Sequence, residues 1–226
     1  MIEQITVRGL SLTPRRPVQT AAGTLSTTPL VLIDMRTDDA IGHAYLRPYA
    51  PLALGPLVDL TANMAELIVG GSAAPARIET ELHRAVALLG RRGLVGAAMA
   101  GLDMAAWDAL ARAVGRPLVR LLGGEPRPVR AYASLRTMDP AAAADEAVDA
   151  VARGFTGVKL KVGPVGDLTA IRAVRAAIGD SVALMVDYNQ SLTVAGALGR
   201  VAAWTNWGWP GSRSRCRRKT TVDTHA

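Results

Sequence analysis

The chain falls into two regimes of hydrophobic patterning. In the first, apolar and polar positions alternate from Ile2 to Thr13, the period of a half-buried strand. Pro14-Arg15-Arg16-Pro17 breaks the run. Val18 to Thr28 is rich in Thr, Ala and Gly, which predicts a loop without a core of its own. Leu30 to Met35 and Ile41 to Leu46 predict two more strands, joined as a hairpin by the polar turn Arg36-Thr37-Asp38-Asp39. Helical spacing follows over Pro51 to Val69 and over Ala76 to Leu89, where Ile78, Leu82 and Val86 share a face and Gly90 is a stop. Leu94 to Val114 is a third helix, built of small residues (Ala97, Ala98, Ala100, Gly101, Ala105, Ala106). They permit close contacts and place it centrally. Gly115-Arg116-Pro117 ends it, and Leu118 to Gly124 forms a short closing element.

From Pro128 the second regime begins. Strand and helix lengths alternate: strand 128–134, helix 140–153, strand 155–161, helix 167–178, strand 182–188, helix 193–203. That order predicts an α/β domain with a parallel sheet. Two of its strands carry polar pairs at i, i+2 near their ends: Lys159 with Lys161, and Asp187 with Asn189. Side chains alternate faces along a strand, so each pair shares a face. One helix-length segment separates the strands, so they are parallel neighbours, and two amines meet a carboxylate at one end of the sheet. Plainer readings stand beside this one. A Lys-x-Lys pair is commonly a solvated strand face, although the flanking Val158, Leu160 and Val162 predict burial. An Asp at a strand end commonly serves a turn or caps a helix. His43, in the hairpin, and Trp107 read as structural; His83 lies on a helix and His225 near the end.

Composition narrows the function classes. The chain has 226 residues, half of them hydrophobic, enough for one large domain or two small ones. It has no uninterrupted apolar run of membrane-spanning length, and Met1-Ile2-Glu3-Gln4 lacks the layout of a signal peptide. Cys216 is the sole cysteine, which fits a reducing, cytoplasmic compartment. The net charge of +7 invites a nucleic-acid reading, but residues 204–226 hold five basic residues and one acidic, four of those seven charges. The remainder is a mildly basic globular body, for which neither a nucleic-acid nor a membrane partner is expected. A non-catalytic interaction protein using the basic tail as a binding arm is the competing reading.

Ala98-Met99-Ala100-Gly101-Leu102-Asp103-Met104-Ala105-Ala106-Trp107-Asp108, followed by Arg112, Pro117-Leu118 and Leu121-Leu122-Gly123-Gly124, resembles the first signature of the mandelate racemase / muconate-lactonizing family of the enolase superfamily. Lys159-Leu160-Lys161, Asp187-Tyr188-Asn189-Gln190-Ser191 and, more weakly, Thr27 to Asp34 resemble its mandelate racemase branch. The resemblance covers residues 1 to about 203. It implies an α+β N-terminal capping domain (residues 1–125) followed by the first βα units of an incomplete (β/α) barrel (126–203), with a tail at 204–226 outside the family. It also implies Mg²⁺-dependent abstraction of a proton α to the carboxylate of a 2-hydroxy or sugar acid, by a racemase or dehydratase. Lys161 would be the base, with Lys159 beside it lowering its pKa. Asp187 would be a metal ligand, and Asn189 and Ser134 would contact the small-molecule carboxylate substrate. The Val18–Thr28 loop would close over the site, and the intact family member would be a homo-oligomer.

The resemblance also marks departures. A complete barrel takes roughly 250 residues, and only about three of its strands are expected here. The family's further metal ligands and the opposing His–Asp dyad lie on later strands. Past Ala203 the family's second signature fails, where Ser212-Arg213-Ser214-Arg215 replaces its acidic residues and proline. Reading the codons one base early forces Asp from Trp204-Thr205, Leu from Asn206-Trp207, Gly from Trp207-Gly208 and Ala from Trp209-Pro210. The remaining positions permit LDELGLAWIEEPVPAEDYRRH in the register of 204 to 224, with a glutamate at position 213. The expectation is a frameshifted, truncated family member, inactive as written.

Overall fold

The computed structural model describes residues 1–15, 18–20, 23–163, 168–189 and 191–205, in two compact units. The first comprises Met1–Pro14 and Thr27–Pro128; the second comprises Arg15–Ser26 and Val129–Ala226. The expected features beyond Thr205, among them Cys216 and His225, lie outside the described residues.

In the first unit, β1 (Ile2–Leu12), β4 (Thr28–Thr37) and β5 (Ile41–Leu46) form an antiparallel sheet in the order β1-β4-β5. The predicted hairpin closes on Thr37, whose N–H and Oγ1 both donate to the Ala40 carbonyl while Oγ1 accepts from Ala40 N. Alternation along β4 buries Val31, Ile33 and Met35 on one face and leaves Leu30, Leu32 and Asp34 half-buried on the other. The buried face meets α1 (Leu54–Glu66) and α3 (Gly93–Ala113). With α2 (Pro75–Ala85), whose Ile78 and Leu82 are buried, they form one core. α1 is shorter than the predicted helix because Pro51–Ala53 forms a separate 3-10 turn. α4 (Leu118–Leu121) is the short closing element.

The small residues of α3 are explained by its docking. A Cβ on Gly42 would lie 2.0 Å from the Ala105 carbonyl oxygen, and one on Gly101 would lie 2.5 Å from Ile33 Cδ1. Strand and helix backbones therefore touch where no larger residue fits. Asp108 completes the junction: Oδ2 accepts from the His43 backbone N–H (2.8 Å) and from Arg112 Nε (2.7 Å). α3 is also the one described helix long and apolar enough to cross a membrane. Its burial against β4 and β5 makes it the central helix of this layer.

In the second unit, β6 (Ala133–Ser134), β7 (Gly157–Lys161) and β8 (Ala183–Asp187) are parallel, in that order. α5 (Pro140–Ala152) and α6 (Thr169–Ile178) pack together, and Ala143, Ala147, Ala150 and Val174 bury against Val158, Leu160 and Leu184. Each of these larger apolar side chains contributes about 1.5–3 kcal/mol on leaving water. Asp139 caps α5 by accepting from Ala142 N (2.9 Å), with Pro140 in the first turn. α7 (Val194–Thr205) follows β8.

Two expectations need correction. The predicted strand 128–134 pairs only over Ala133–Ser134; residues 128–132 form no strand, and Val129 is exposed. The segment Val18–Thr28 is no simple loop. β2 (Val18–Thr20) and β3 (Gly23–Leu25) form a hairpin, and Thr28 already belongs to β4. Three-residue strands of this composition carry no readable alternation. Their order comes instead from hydrogen bonds to residues more than a hundred positions away.

Candidate active site

The strand register builds the site. Ser134, Lys159 and Met185 lie side by side across β6, β7 and β8, and two residues further on Lys161 lies beside Asp187. Paired positions in a sheet share a face. The four residues read from the sequence (Ser134, Lys159, Lys161, Asp187) therefore stand on the face opposite the one that α5 and α6 cover. Their neighbours show the alternation: Val158 and Leu160 are fully buried, while both lysines are half-buried and Ser134 is exposed.

Asp187 organises the end of β8. Its Oδ2 lies 3.2 Å from Lys159 Nζ, with both side chains less than a third exposed. Its Oδ1 accepts from Asn189 N (2.9 Å), closing a turn in which Asn189 takes a left-handed φ of 47°. Asparagine tolerates that region better than most residues. The plainer reading of Asp187 as a turn residue thus holds alongside the ion pair, on separate oxygens. Lys159 is also held from the side, with Nζ 5.5 Å from the Tyr132 ring centroid.

The hairpin reaches the same end of the sheet. Gln19 N donates to the Arg136 carbonyl (2.8 Å), and the Gln19 side-chain oxygen accepts from Met138 N (2.9 Å) and Thr137 Oγ1 (3.2 Å). This is the segment just past the C-terminal end of β6. Glu146 fixes it from α5 by accepting from both N and Nε of Arg136, each at 2.9 Å. Tyr132 and Gln19 are the site residues that sequence reasoning missed. The predicted strand 128–134 would have put Tyr132 on the face of Ser134, although Tyr132 lies just before the strand that forms; nothing in the sequence marks Gln19.

Among the described residues, no group of three His, Cys, Asp or Glu side chains could hold a metal ion. Asp187, the ligand read from the sequence, has partners on both its oxygens. Mg²⁺ gives up its water only to several well-placed oxygens. The described residues therefore do not compose a Mg²⁺ site by themselves.

Comparison with known proteins fits the fold. The N-terminal domain model of the mandelate racemase / muconate lactonizing enzyme family matches residues 2–123, and an enolase C-terminal domain-like model matches residues 142–209. The chain belongs to the mandelate racemase / muconate lactonizing enzyme family. Its fold is that family's α+β N-terminal domain followed by the βα units of a partial barrel. A Bradyrhizobium enolase crystallised with magnesium and mandelic acid is 40% identical, with a TM-score of 0.80 over 91% of this chain and 58% of that one. Arabinonate dehydratase of Saccharolobus solfataricus is 34% identical over 52% of this chain and 34% of the relative. Hydrophobic dipeptide epimerase of Enterococcus faecalis is 26% identical over 91% of this chain and 58% of the relative. The chain thus spans little more than half the length of these relatives, or less. Such relatives are dehydratases, epimerases and cycloisomerases of one superfamily, and solved neighbours hold magnesium.

Proposed function

We propose that the second unit is the opening part of a catalytic barrel that abstracts the proton α to the carboxylate of a 2-hydroxy acid or sugar acid, in a racemase or dehydratase. The carrying observation is the register that sets Ser134, Lys159, Lys161 and Asp187 on one face at the C-terminal end of three parallel strands. That end is where barrels of this kind carry their chemistry. Lys161 is the base. Lys159, Ser134 and Asn189 face the substrate carboxylate and hydroxyl groups, and the ammonium of Lys159 stabilises negative charge as it develops. The hairpin β2–β3, anchored through Gln19, covers this end and restricts water and substrate shape. Asp187 is the residue of this chain that would meet the magnesium found in relatives, the described residues offering it no second carboxylate.

The shifted-frame reading belongs to the proposal. The family-model match runs to residue 209, past the Ala203 at which that reading places the divergence. Restoring the family frame from 204 onward is expected to yield a product that washes the α-proton of a 2-hydroxy or sugar acid into deuterium oxide with Mg²⁺ present, followed by proton NMR. The 226-residue chain is expected to show little or no exchange. A frame-restored product inert toward the whole panel of acids, or a 226-residue chain with full activity, would overturn this.

A further inference from the structure

In the first unit, His83 on α2 has a partner for each of its protonation states. Arg91 Nη1 lies 2.7 Å from His83 Nε2. A guanidinium only donates, so that nitrogen accepts, and the ring is neutral with its proton on Nδ1. Glu79 Oε1 lies 3.8 Å from the same nitrogen, one turn back along α2. A proton on Nε2 would set two N–H donors against each other and turn the ring toward the Glu79 carboxylate. α3, on which α2 packs, adds to this acidic side through Asp103, whose carboxyl is raised by burial and then by Glu79. The other charged side chains near His83 along the chain are Arg84 on α2 and Arg92 beside Arg91. Arg91 itself belongs to the turn between α2 and α3. It lies between Gly90 and Gly93, whose φ angles of 76° and 63° are in the left-handed region that favours glycine. Leu89 N and Gly90 N both donate to the Val86 carbonyl (3.0 and 3.1 Å), while the side chains of Leu88 and Leu89 are exposed. The His83–Arg91 bond spans eight residues and ties this turn back to α2.

We propose that His83 is a pH-sensitive latch on the α2–α3 turn. As a neutral ring it accepts from Arg91 and fastens the turn. Protonated on Nε2, it releases Arg91, donates to Glu79 and leaves the turn loose on its two glycines. Acidification therefore opens the turn while the flanking helices stay docked, because Ile78, Leu82 and Leu102 hold them through apolar contacts that do not titrate. The latch lies wholly in the first unit and is independent of the chemistry proposed for β6 to β8.

The test compares the 226-residue chain with its His83→Gln and Arg91→Met variants between about pH 8 and pH 5, the range in which histidine changes charge. Long-range proton–nitrogen NMR of the His83 ring reads which nitrogen carries the proton. Amide exchange, divided by the intrinsic rate at each pH, reads the protection of Leu89 and Gly90. At the upper pH the proton is expected on Nδ1 alone. At the lower pH both ring nitrogens are expected to be protonated, with protection of the two amides about tenfold lower. His83→Gln keeps an acceptor without a charge, so its protection is expected to be the same at both ends of the range. That variant also separates His83 from Asp103 as the source of the change. Arg91→Met is expected to show the low protection already at the upper pH. A proton on Nε2 at the upper pH, equal protection of the unaltered chain at both ends, or the same tenfold fall in His83→Gln would overturn the proposal. The ring and amide measurements on the unaltered chain decide even where a variant does not fold.

Discussion

Asp187 lies opposite Lys161 in the strand register, yet its carboxylate is bonded to Lys159, 3.2 Å away on the diagonal. The register residue and the bonded residue are therefore different lysines on one strand face. This divides their expected effects. Replacing Lys159 disturbs the charge balance of Asp187, whereas replacing Lys161 removes the proposed base.

Gly42→Ala tests the close docking of α3. A methyl group there would meet backbone atoms of Ala105 and Ala109 at 2.0 and 2.5 Å. Backbone cannot swing aside as a flexible side chain can, so the first unit is expected to lose about 1–3 kcal/mol. A urea titration reads it. A loss within experimental error would show that α3 and β5 are not in direct backbone contact.

Gln19→Ala tests the hairpin anchor. The variant loses two side-chain hydrogen bonds, each worth about 0.5–1.5 kcal/mol net. Amide protons of β2 and β3 are expected to exchange about tenfold faster while those of β7 and β8 keep their rates. Unchanged exchange in the hairpin would mean that Gln19 does not hold it.

The sheet of the second unit and the α3 core were legible in the sequence because their signals are periodic. Val158, Leu160 and Val162 alternate with the two lysines, and Ile78, Leu82 and Val86 recur at helical spacing. Periodicity gave the face of Lys159 and Lys161, but not the partner of either, since a long side chain reaches diagonally as readily as across. The hairpin was illegible for a different reason: its order rests on one glutamine and backbone groups near residue 137, a pairing with no local pattern. The first signature, met as a family mark, proves to be packing chemistry in large part. Gly101, Ala105 and Asp108 seat a helix on a strand.

Acid stability should show two carboxyl groups shifted in opposite directions. Burial alone would raise the Asp108 carboxyl, but Arg112 and the His43 N–H outweigh it and hold it below its ordinary 3.8. A depressed folded value contributes stability above 3.8 that is lost as pH falls through the lower value. Asp108→Asn is therefore expected to be the less stable protein at neutral pH, with the gap closing in acid. Asp103 is raised, first by burial and then by Glu79, against the opposing hydrogen bond from Trp107. Its ionised form is the penalised one, so Asp103→Asn is expected to gain stability at neutral pH and to lose that gain progressively as pH falls from the raised value to the ordinary 3.8. Urea midpoints against pH for both variants check the signs; parallel curves would refute them.

The most direct measurement is α-proton exchange on separated enantiomers of a responsive 2-hydroxy acid, in deuterium oxide with Mg²⁺, comparing the frame-restored protein with its Lys161→Met variant. A base fixed on one strand reaches one face of the substrate. The expected result is that Lys161→Met abolishes exchange of one enantiomer while the variant still folds and binds the acid. Exchange of both enantiomers at unaltered rates in Lys161→Met would contradict the assignment of Lys161, and with it the proposed chemistry of this sheet.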